Sequence, residues 1–224
     1  MTVSGLPTDL IRVLSMSVVV TSVIVVETRR LRFSSMVYAI QALFIVGLLL
    51  CFAQANPALY WWAGTAFLTK AVLTPAFLLR YIGKTQETEL PPLIGFGSSL
   101  VVAALLIVGL FRLTHSQIGL LAASPLEQTE VFRTNLAVAA TVFILGLYAV
   151  LTRRDAVKTV IGLCLLENGV HLSLVSMAPA LPETALFGVA TEVVVTVFLL
   201  LYVIAGVYQQ FGTTDTLQMR ELHG

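Results

Sequence analysis

The sequence is poor in charged residues and has no excess of either sign. Only 11% of its 224 residues are charged, where a typical soluble domain has about 25%, and 13 Lys and Arg stand against 12 Asp and Glu. This balance excludes a nucleic-acid binder, which needs a basic surplus. With 58% hydrophobic residues and a mean hydropathy of +0.94, the chain cannot be a soluble enzyme, a secreted disulfide scaffold or a disordered tail. Most of it must be surrounded by lipid.

Cysteine is scarce, and the groupings typical of redox centres are missing. Cys51 and Cys164 lie inside apolar runs, so we expect small buried side chains there and neither a disulfide nor a metal pair. The sequence has no Gly-rich phosphate loop, no Cys cluster for iron–sulfur and no pair of His residues placed for haem. We therefore predict that this chain has no catalytic residue, no metal site and no cofactor-binding residue of its own.

Apolar runs long enough to cross a bilayer recur along the whole chain. A crossing helix takes about 20 residues, strand-like alternation is missing, and the prolines fall mostly between the runs. The sequence predicts an all-α integral membrane protein of about seven transmembrane helices, with six or eight left open. The predicted spans are 10–26, 35–54, 59–80, 92–112, 131–151, 157–178 and 184–208.

These runs divide into two segments of unequal size. We expect an N-terminal four-helix membrane segment over residues 1–125 and a C-terminal three-helix segment with a cytoplasmic tail over residues 126–224. The first run ends in Glu27-Thr28-Arg29-Arg30 without a small-residue cleavage site, so we expect it to be retained as a helix.

The basic residues indicate how the chain is oriented. With seven spans and an external N-terminus, nine Lys and Arg lie in inside segments and three in outside segments. Lys and Arg prefer cytoplasmic loops, so we predict the N-terminus outside and the C-terminus inside. The thirteenth basic residue, Lys70, lies in the membrane.

Lys70 occupies the centre of the third apolar run, too deep for its amine to reach either surface easily. A charge at this depth costs about 2.5–3.5 kcal/mol on insertion scales and normally faces protein or water. Pro75 leaves the carbonyl of Ala71 without its usual helical partner, which favours a kink beside the lysine. The amine is either a proton acceptor or a structural lysine that holds a neighbouring carboxylate.

Glu167 and His171 lie four residues apart in the sixth run, on one face of a helix. Glu167 is about 15 Å from the inner end of this run, which is mid-membrane. A carboxyl with an imidazole one turn away can pass a proton, and the alternative is a structural hydrogen bond between helices. Gly162 and Gly169 on the same run allow another helix to approach closely.

Glu192 is the other acid predicted near mid-membrane, about 12 Å from the outer end of the seventh run. The sixth and seventh runs are antiparallel neighbours, so we expect Glu167 and Glu192 at similar depths. Glu192 is either part of a proton path or a polar packing residue. The weaker polar positions predicted to support this site are Asn168, Thr69, Gln41 and Tyr38.

Several runs of the sequence are similar to the hydrogenase-4 component E family, in order and over nearly the whole chain. The most specific is Leu166-Glu167-Asn168-Gly169-Val170-His171-Leu172. The last hundred residues also resemble subunit K of NADH–quinone oxidoreductase and the C-type component of multisubunit sodium/proton antiporters. The other runs that resemble component E are 37–43, 66–75, 182–183, 188–192 and 212–215.

The resemblance implies a membrane subunit of a group 4 [NiFe]-hydrogenase or formate hydrogenlyase type complex, related to respiratory complex I. It implies a prokaryotic inner membrane, antiporter-like membrane subunits as partners, and a soluble [NiFe]-hydrogenase-like arm that holds the nickel–iron centre and iron–sulfur clusters. It also implies that the last three helices form a subunit K-like bundle. In the subunit K pattern the first acid falls on Cys164, whereas the acid of this chain follows one turn later at Glu167, and the second acid falls on Glu192.

Three functions fit these observations. The first is a subunit that contributes to proton or sodium translocation in a redox complex, with Lys70, Glu167, His171 and Glu192 in the path. The second is a structural scaffold between antiporter-like subunits. The third is a stand-alone ion-coupled transporter, for which inverted repeats and interrupted helices are expected but, apart from Pro75, are not found in the sequence.

The predicted orientation can be tested by labelling. Cysteines introduced beside Arg30, Lys84 and Asp155 should react with a membrane-impermeant maleimide only from the cytoplasmic side. Reaction of these positions only from the outside would overturn the topology.

Overall fold

The computed structural model describes residues 7–54, 56–85, 93–116, 130–177 and 183–216. Within these residues the regular structure is helical, apart from one isolated bridge between extended residues. The predicted all-α fold class is confirmed. The helices are α1 (Thr8–Glu27), α2 (Leu31–Ala53), α3 (Ala58–Ala66), a π-helical segment (Phe67–Leu73), α4 (Thr74–Thr85), α5 (Phe96–Ser116), α6 (Glu130–Thr152), α7 (Ala156–Met177) and α8 (Glu183–Phe211).

Six helical stretches of the described residues are long and apolar enough to cross a membrane, and a shorter apolar stretch, Val195–Gln210, lies in α8. The third stretch, Ala58–Gly83, combines α3, the π-helical segment and most of α4. The fourth differs from its predicted span, because α5 begins at Phe96 and not at residue 92. The Ser99 N–H donates to the Gly95 carbonyl at 2.9 Å, and this hydrogen bond closes the first turn of α5.

Helices α6 and α7 form the closest pair, and glycine makes their approach possible. A Cβ added at Gly169 would lie 2.5 Å from the backbone nitrogen of Phe143, and one at Gly146 would collide with the backbone of Leu166. At Gly162 an added Cβ would meet Ala149 Cβ at 3.1 Å. The close approach predicted for Gly162 and Gly169 is therefore present, and its partner is α6.

Asp155 joins α6 to α7 and caps the start of α7. Its Oδ1 accepts from the N–H groups of Val157 at 2.8 Å and Lys158 at 3.1 Å, which otherwise have no intrahelical partner. Burial raises the pKa of the Asp155 carboxyl, while these N–H groups and the Thr214 hydroxyl oppose the rise.

The chain that follows α8 is tied back to this same turn. Gly212 ends α8 with φ +70° and donates its N–H to the Tyr208 carbonyl at 2.8 Å, a common helix terminus. Asp215 then forms the antiparallel bridge with Asp155, and Thr216 donates to the Arg154 carbonyl at 2.9 Å. The end of α8 is thus fixed against the α6–α7 connection.

The packing leaves helix α5 at the edge of the molecule. Only 11% of the residues in its most apolar part are buried, compared with 61% in α6 and in α7. The buried residues form two apolar clusters, one around Trp62, Phe52 and Val142, the other around Tyr38, Leu78 and Leu165. The polar residues described below lie between and beside these clusters.

We predict that Gly169→Ala lowers the free energy of unfolding by about 2 kcal/mol, because its new methyl group must push the α6 backbone away. Gly109→Ala on α5 is the matched control, since a Cβ there meets nothing within 4 Å. The control should be neutral or slightly stabilising. The measurement is denaturation of the purified chain in detergent micelles, and equal stability of the two variants would contradict the packing described here.

Candidate functional site

Lys70 is the centre of a polar cluster between the third span and α7. Its side chain is 2% exposed, and its amine donates to Asn168 Oδ1 at 2.7 Å. The same nitrogen lies 2.5 Å from His171 Nδ1 and 3.3 Å from Glu167 Oε1. An ammonium group has three N–H donors, so these three acceptors from a single helix match all of them.

The π-helical segment determines where Lys70 points. It spans Phe67–Leu73, and the N–H of Thr74 bonds to the carbonyl of Thr69, five residues earlier. Pro75 follows directly and has no N–H to offer the helix. Lys70 therefore projects from a locally widened helix toward α7, and such π-helical turns are frequent at functional sites. The sequence predicted a kink at Pro75 but not this π-helical geometry.

Glu167 and His171 complete the cluster from α7. His171 Nε2 lies 3.4 Å from Glu167 Oε1, as the four-residue spacing predicts. Since His171 Nδ1 faces the lysine amine, the network assigns the ring proton to Nε2, where it points at the carboxylate. The His171 ring also meets Trp62 edge-on, with centroids 5.5 Å apart. Trp62 is 2% exposed and covers the His171 ring from α3.

The Glu167 carboxylate differs from its neighbours in exposure. Its side chain is 29% exposed, whereas the side chains of Lys70 and His171 are 2% and 6% exposed. Glu167 therefore lies partly at the surface of this chain, about halfway along α7.

The supporting residues predicted from the sequence separate into two groups. Asn168 contacts Lys70 directly, and the fully buried Tyr38 hydroxyl lies near Cys164, Asn168 and Glu167.

The other supporting residues bond elsewhere. The Thr69 hydroxyl bonds to the Thr65 carbonyl at 2.9 Å, within its own helix. Gln41 donates to the Ser22 hydroxyl on α1 at 2.6 Å. The side chain of Glu192 lies outside the described residues, so its predicted approach to Glu167 stays a prediction.

A second buried charged cluster, which the sequence pattern did not indicate, lies where α1 and α6 end and α5 begins. Glu27 Oε1 is 3.2 Å from Arg153 Nη2 and accepts from the Ser99 hydroxyl at 2.6 Å. The side chains of Glu27 and Arg153 are each 6% exposed. Ser99 is also 2.7 Å from the Tyr148 hydroxyl. Glu27 and Arg153 flank apolar runs, so the sequence alone presents them as ordinary loop charges.

Lys158, beside this second cluster, is buried as well. Its amine donates to the Val25 carbonyl at 2.7 Å and to the Ser34 hydroxyl at 2.9 Å. Both acceptors are neutral, and the lysine links the start of α7 to α1 and α2. In the sequence Lys158 is one of the basic inner residues, and nothing in its position there indicates these contacts.

The Lys70 cluster can hold and pass a proton without a metal. Moving one proton from the Lys70 ammonium to the Glu167 carboxylate converts an ion pair into a neutral amine and a carboxylic acid, and the His171 ring contacts both groups. Among the residues that the structure describes, no group of three or more His, Cys, Asp or Glu is placed to hold a metal ion.

The comparisons with known proteins identify a family. Hydrogenase-4 component E of Escherichia coli K12 is 30% identical over 208 residues, which cover 91% of this chain and 93% of the relative. The chain belongs to the hydrogenase-4 component E family.

Two further comparisons concern parts of this component E homologue. Residues 134–224 match the family model of NADH-ubiquinone/plastoquinone oxidoreductase chain 4L. An uncharacterized protein of Mycobacterium tuberculosis is 25% identical over 155 residues, covering 68% of this chain and 67% of the relative. No solved structure matches significantly. The resemblance stated from the sequence is thus confirmed for component E and for the C-terminal segment.

We predict that Lys70→Met destabilises this component E homologue by about 3–5 kcal/mol, because it leaves the Glu167 carboxylate without its cation. Lys70→Met combined with Glu167→Gln should recover much of the loss. The exposed pair Arg12–Glu130, whose side chains are 64% and 77% exposed, supplies the control.

Arg12→Met should cost less than about 1 kcal/mol. The loss of stability of each variant is measured by thermal unfolding in detergent, from the difference between its midpoint and that of the wild type. A Lys70→Met chain as stable as Arg12→Met would show that the Lys70–Glu167 pair does not hold α7 in place.

Proposed function

We propose that this chain is a membrane-arm subunit of a complex I-related hydrogenase or formate hydrogenlyase-type complex, in which it contributes to translocation of protons or sodium ions. Its own residues supply the ion-handling groups, and redox chemistry takes place in partner subunits. Family membership and the chain 4L match of residues 134–224 support the assembly. The Lys70–Glu167–His171 cluster supports the translocation role.

The single observation that favours translocation is the arrangement of Lys70, Glu167 and His171 at mid-membrane. Glu167 Oε1 lies between the lysine amine at 3.3 Å and the histidine Nε2 at 3.4 Å. A packing role needs hydrogen bonds but no titratable groups, and ionisable side chains are rare and costly inside membranes. Three of them in mutual contact form a unit that can gain or lose a proton together.

The partial exposure of Glu167 supports the presence of a membrane partner. A carboxylate 29% exposed at mid-bilayer cannot face hydrocarbon without a large penalty. A neighbouring membrane subunit that presents polar groups or water would remove this penalty. Antiporter-like subunits are the partners we propose, and the carboxylate would exchange its proton with them laterally.

The remaining parts of the proposal follow from the family. The chain would lie in a prokaryotic inner membrane with its N-terminus outside and its C-terminus cytoplasmic. The nickel–iron centre and the iron–sulfur clusters would belong to a soluble arm built by partner subunits, and this chain would bind no cofactor. Glu192, on α8, would complete the path beside Glu167.

A scaffold role is the second candidate, and one observation favours it. Asn135 on α6 donates to the Leu172 carbonyl at 3.1 Å and to the Ser176 hydroxyl at 2.7 Å on α7, with no ionisable partner in either contact. Polar contacts of this kind serve only to join helices. A scaffold would use the Lys70 cluster in the same way, as a fixed bridge.

Glu167→Gln separates the two roles. The amide keeps the shape and can still accept from Lys70, but it cannot take up a proton. We expect the whole complex to assemble, its redox arm to turn over artificial electron acceptors at the wild-type rate, and proton uptake per electron to fall. The measurement is dye-detected proton movement in vesicles containing the purified complex.

Glu130→Gln is the matched control for this test, because Glu130 is an exposed acid paired with Arg12 at the start of α6. It should leave proton uptake unchanged. Wild-type proton uptake per electron in Glu167→Gln would contradict translocation through this cluster and favour the scaffold.

A further inference from the structure

A row of buried polar residues on α2 connects the inner ends of the helices with the mid-membrane cluster. We infer that Ser34 and Tyr38 form the inner proton path of the Lys70 site, with Lys158 as its entrance. The inference rests on the proposed translocation role of the Lys70 cluster. It adds a direction of access and two residues, Ser34 and Lys158, and it turns Tyr38 from a supporting residue into a member of the path. Nothing in the comparisons assigns these three residues a function.

Lys158 forms the inner end of the row. It lies two residues after the start of α7, and its amine contacts the Ser34 hydroxyl at 2.9 Å. The charged groups that face it are Arg153, Asp155 and Glu27. Glu27 and Arg153 belong to the second buried cluster, and Asp155 caps α7. In the proposed orientation these charged groups lie at the inner ends of the helices, and Lys158 lies beside them.

Tyr38 forms the mid-membrane end of the row. Its side chain is fully buried, and its hydroxyl lies near Cys164, Asn168 and Glu167 on α7. Asn168 in turn bonds to the Lys70 amine at 2.7 Å. Within the described residues, Tyr38 Oη and Asn168 Nδ2 are buried without a hydrogen-bond partner of standard geometry. The two side chains lie close enough to interact directly.

Ser34 and Tyr38 are one helical turn apart and share a face of α2. Because helical side chains tilt toward the N-terminus, and α2 begins at the inner end, the Tyr38 side chain leans toward Ser34. The two hydroxyls belong to successive turns, so one or two bridging waters complete the connection. Water is the only additional component that the path requires.

The path transfers protons without any net change in its members. A proton from the inner solution binds the Lys158 amine, and the resulting ammonium passes one proton to the Ser34 oxygen. The Ser34 hydroxyl, which donates to the Val25 carbonyl at rest, turns away from it and releases its own proton to a bridging water. That water passes one of its protons to the Tyr38 oxygen, and the Tyr38 hydroxyl proton moves to the Glu167 carboxylate. Each hydroxyl then reorients. Lys158, Ser34, the water and Tyr38 have their starting number of protons, and Glu167 holds the proton taken from the inner solution.

Ser35 offers a natural comparison for Ser34. The two serines are adjacent on α2, and both are completely buried. The Ser35 hydroxyl donates to the Leu31 carbonyl of its own helix at 3.0 Å, whereas Ser34 accepts from Lys158 and donates to Val25 on α1. A merely structural need for a buried hydroxyl applies to both, but the proposed path applies to Ser34 alone.

The test measures proton uptake from the inner side in vesicles that contain the whole complex. Ser34→Ala and Tyr38→Phe each remove one hydroxyl, and both should slow this uptake by about tenfold, a modest loss for a positioned proton-transfer group. Ser35→Ala should retain the wild-type rate. Native gels and turnover with artificial acceptors show that each complex is assembled and redox-active, and Lys158→Gln serves as a third path variant.

The outcomes separate the path from the proposed function. Slow inner-side uptake in Ser34→Ala and Tyr38→Phe, with Ser35→Ala unchanged, supports the path. Rates equal to Ser35→Ala in both path variants, with Glu167→Gln still blocked, overturn the path and leave the Lys70 site standing. Normal uptake in Glu167→Gln overturns the proposed function, and the inner path fails with it.

Discussion

The contact between the Lys70 ammonium and the Glu167 carboxylate is the constraint on which the packing of the third span against α7 depends. A buried charge is costly without a partner, and the 3.3 Å separation of these two groups requires the third span and α7 to keep one relative height and rotation. Asn168 and His171 use the remaining donors of the ammonium, so the lysine cannot be moved without leaving several buried groups unsatisfied.

The tight pairing of α6 and α7 gives this contact a rigid support. Gly146, Gly162 and Gly169 let the two backbones touch, so α7 presents Glu167, with its neighbours in the cluster, from a fixed surface. Hydrogen bonds from Lys158 to α1 and α2 prevent the same helix from sliding along its axis. Apolar packing positions the helices, and a small number of polar contacts select one register.

Hydropathy predicted the long helices well, because a long apolar helix is recognised from the length and composition of its sequence alone. The contact between Glu167 and His171 was also predictable, since the two residues share a helical face, but the sequence left open which carboxylate Lys70 contacts. Local pattern could not show that Gln41 and Thr69 bond to other partners, because that depends on which helix lies opposite. Nor could it show that charges at the ends of runs, such as Glu27 and Arg153, are paired and buried.

The widened turn before Pro75 makes chain length, and not only residue type, a determinant of the site. A π-helical turn accommodates an additional residue relative to an α-helix, and each residue rotates an α-helix by about 100°. Removal of any one residue from Phe67–Leu73, even one distant from the amine, would restore a regular helix and rotate Lys70 relative to the rest of its span. Relatives that differ here by a single deletion would therefore present their lysine to a different neighbour, even with every polar residue retained.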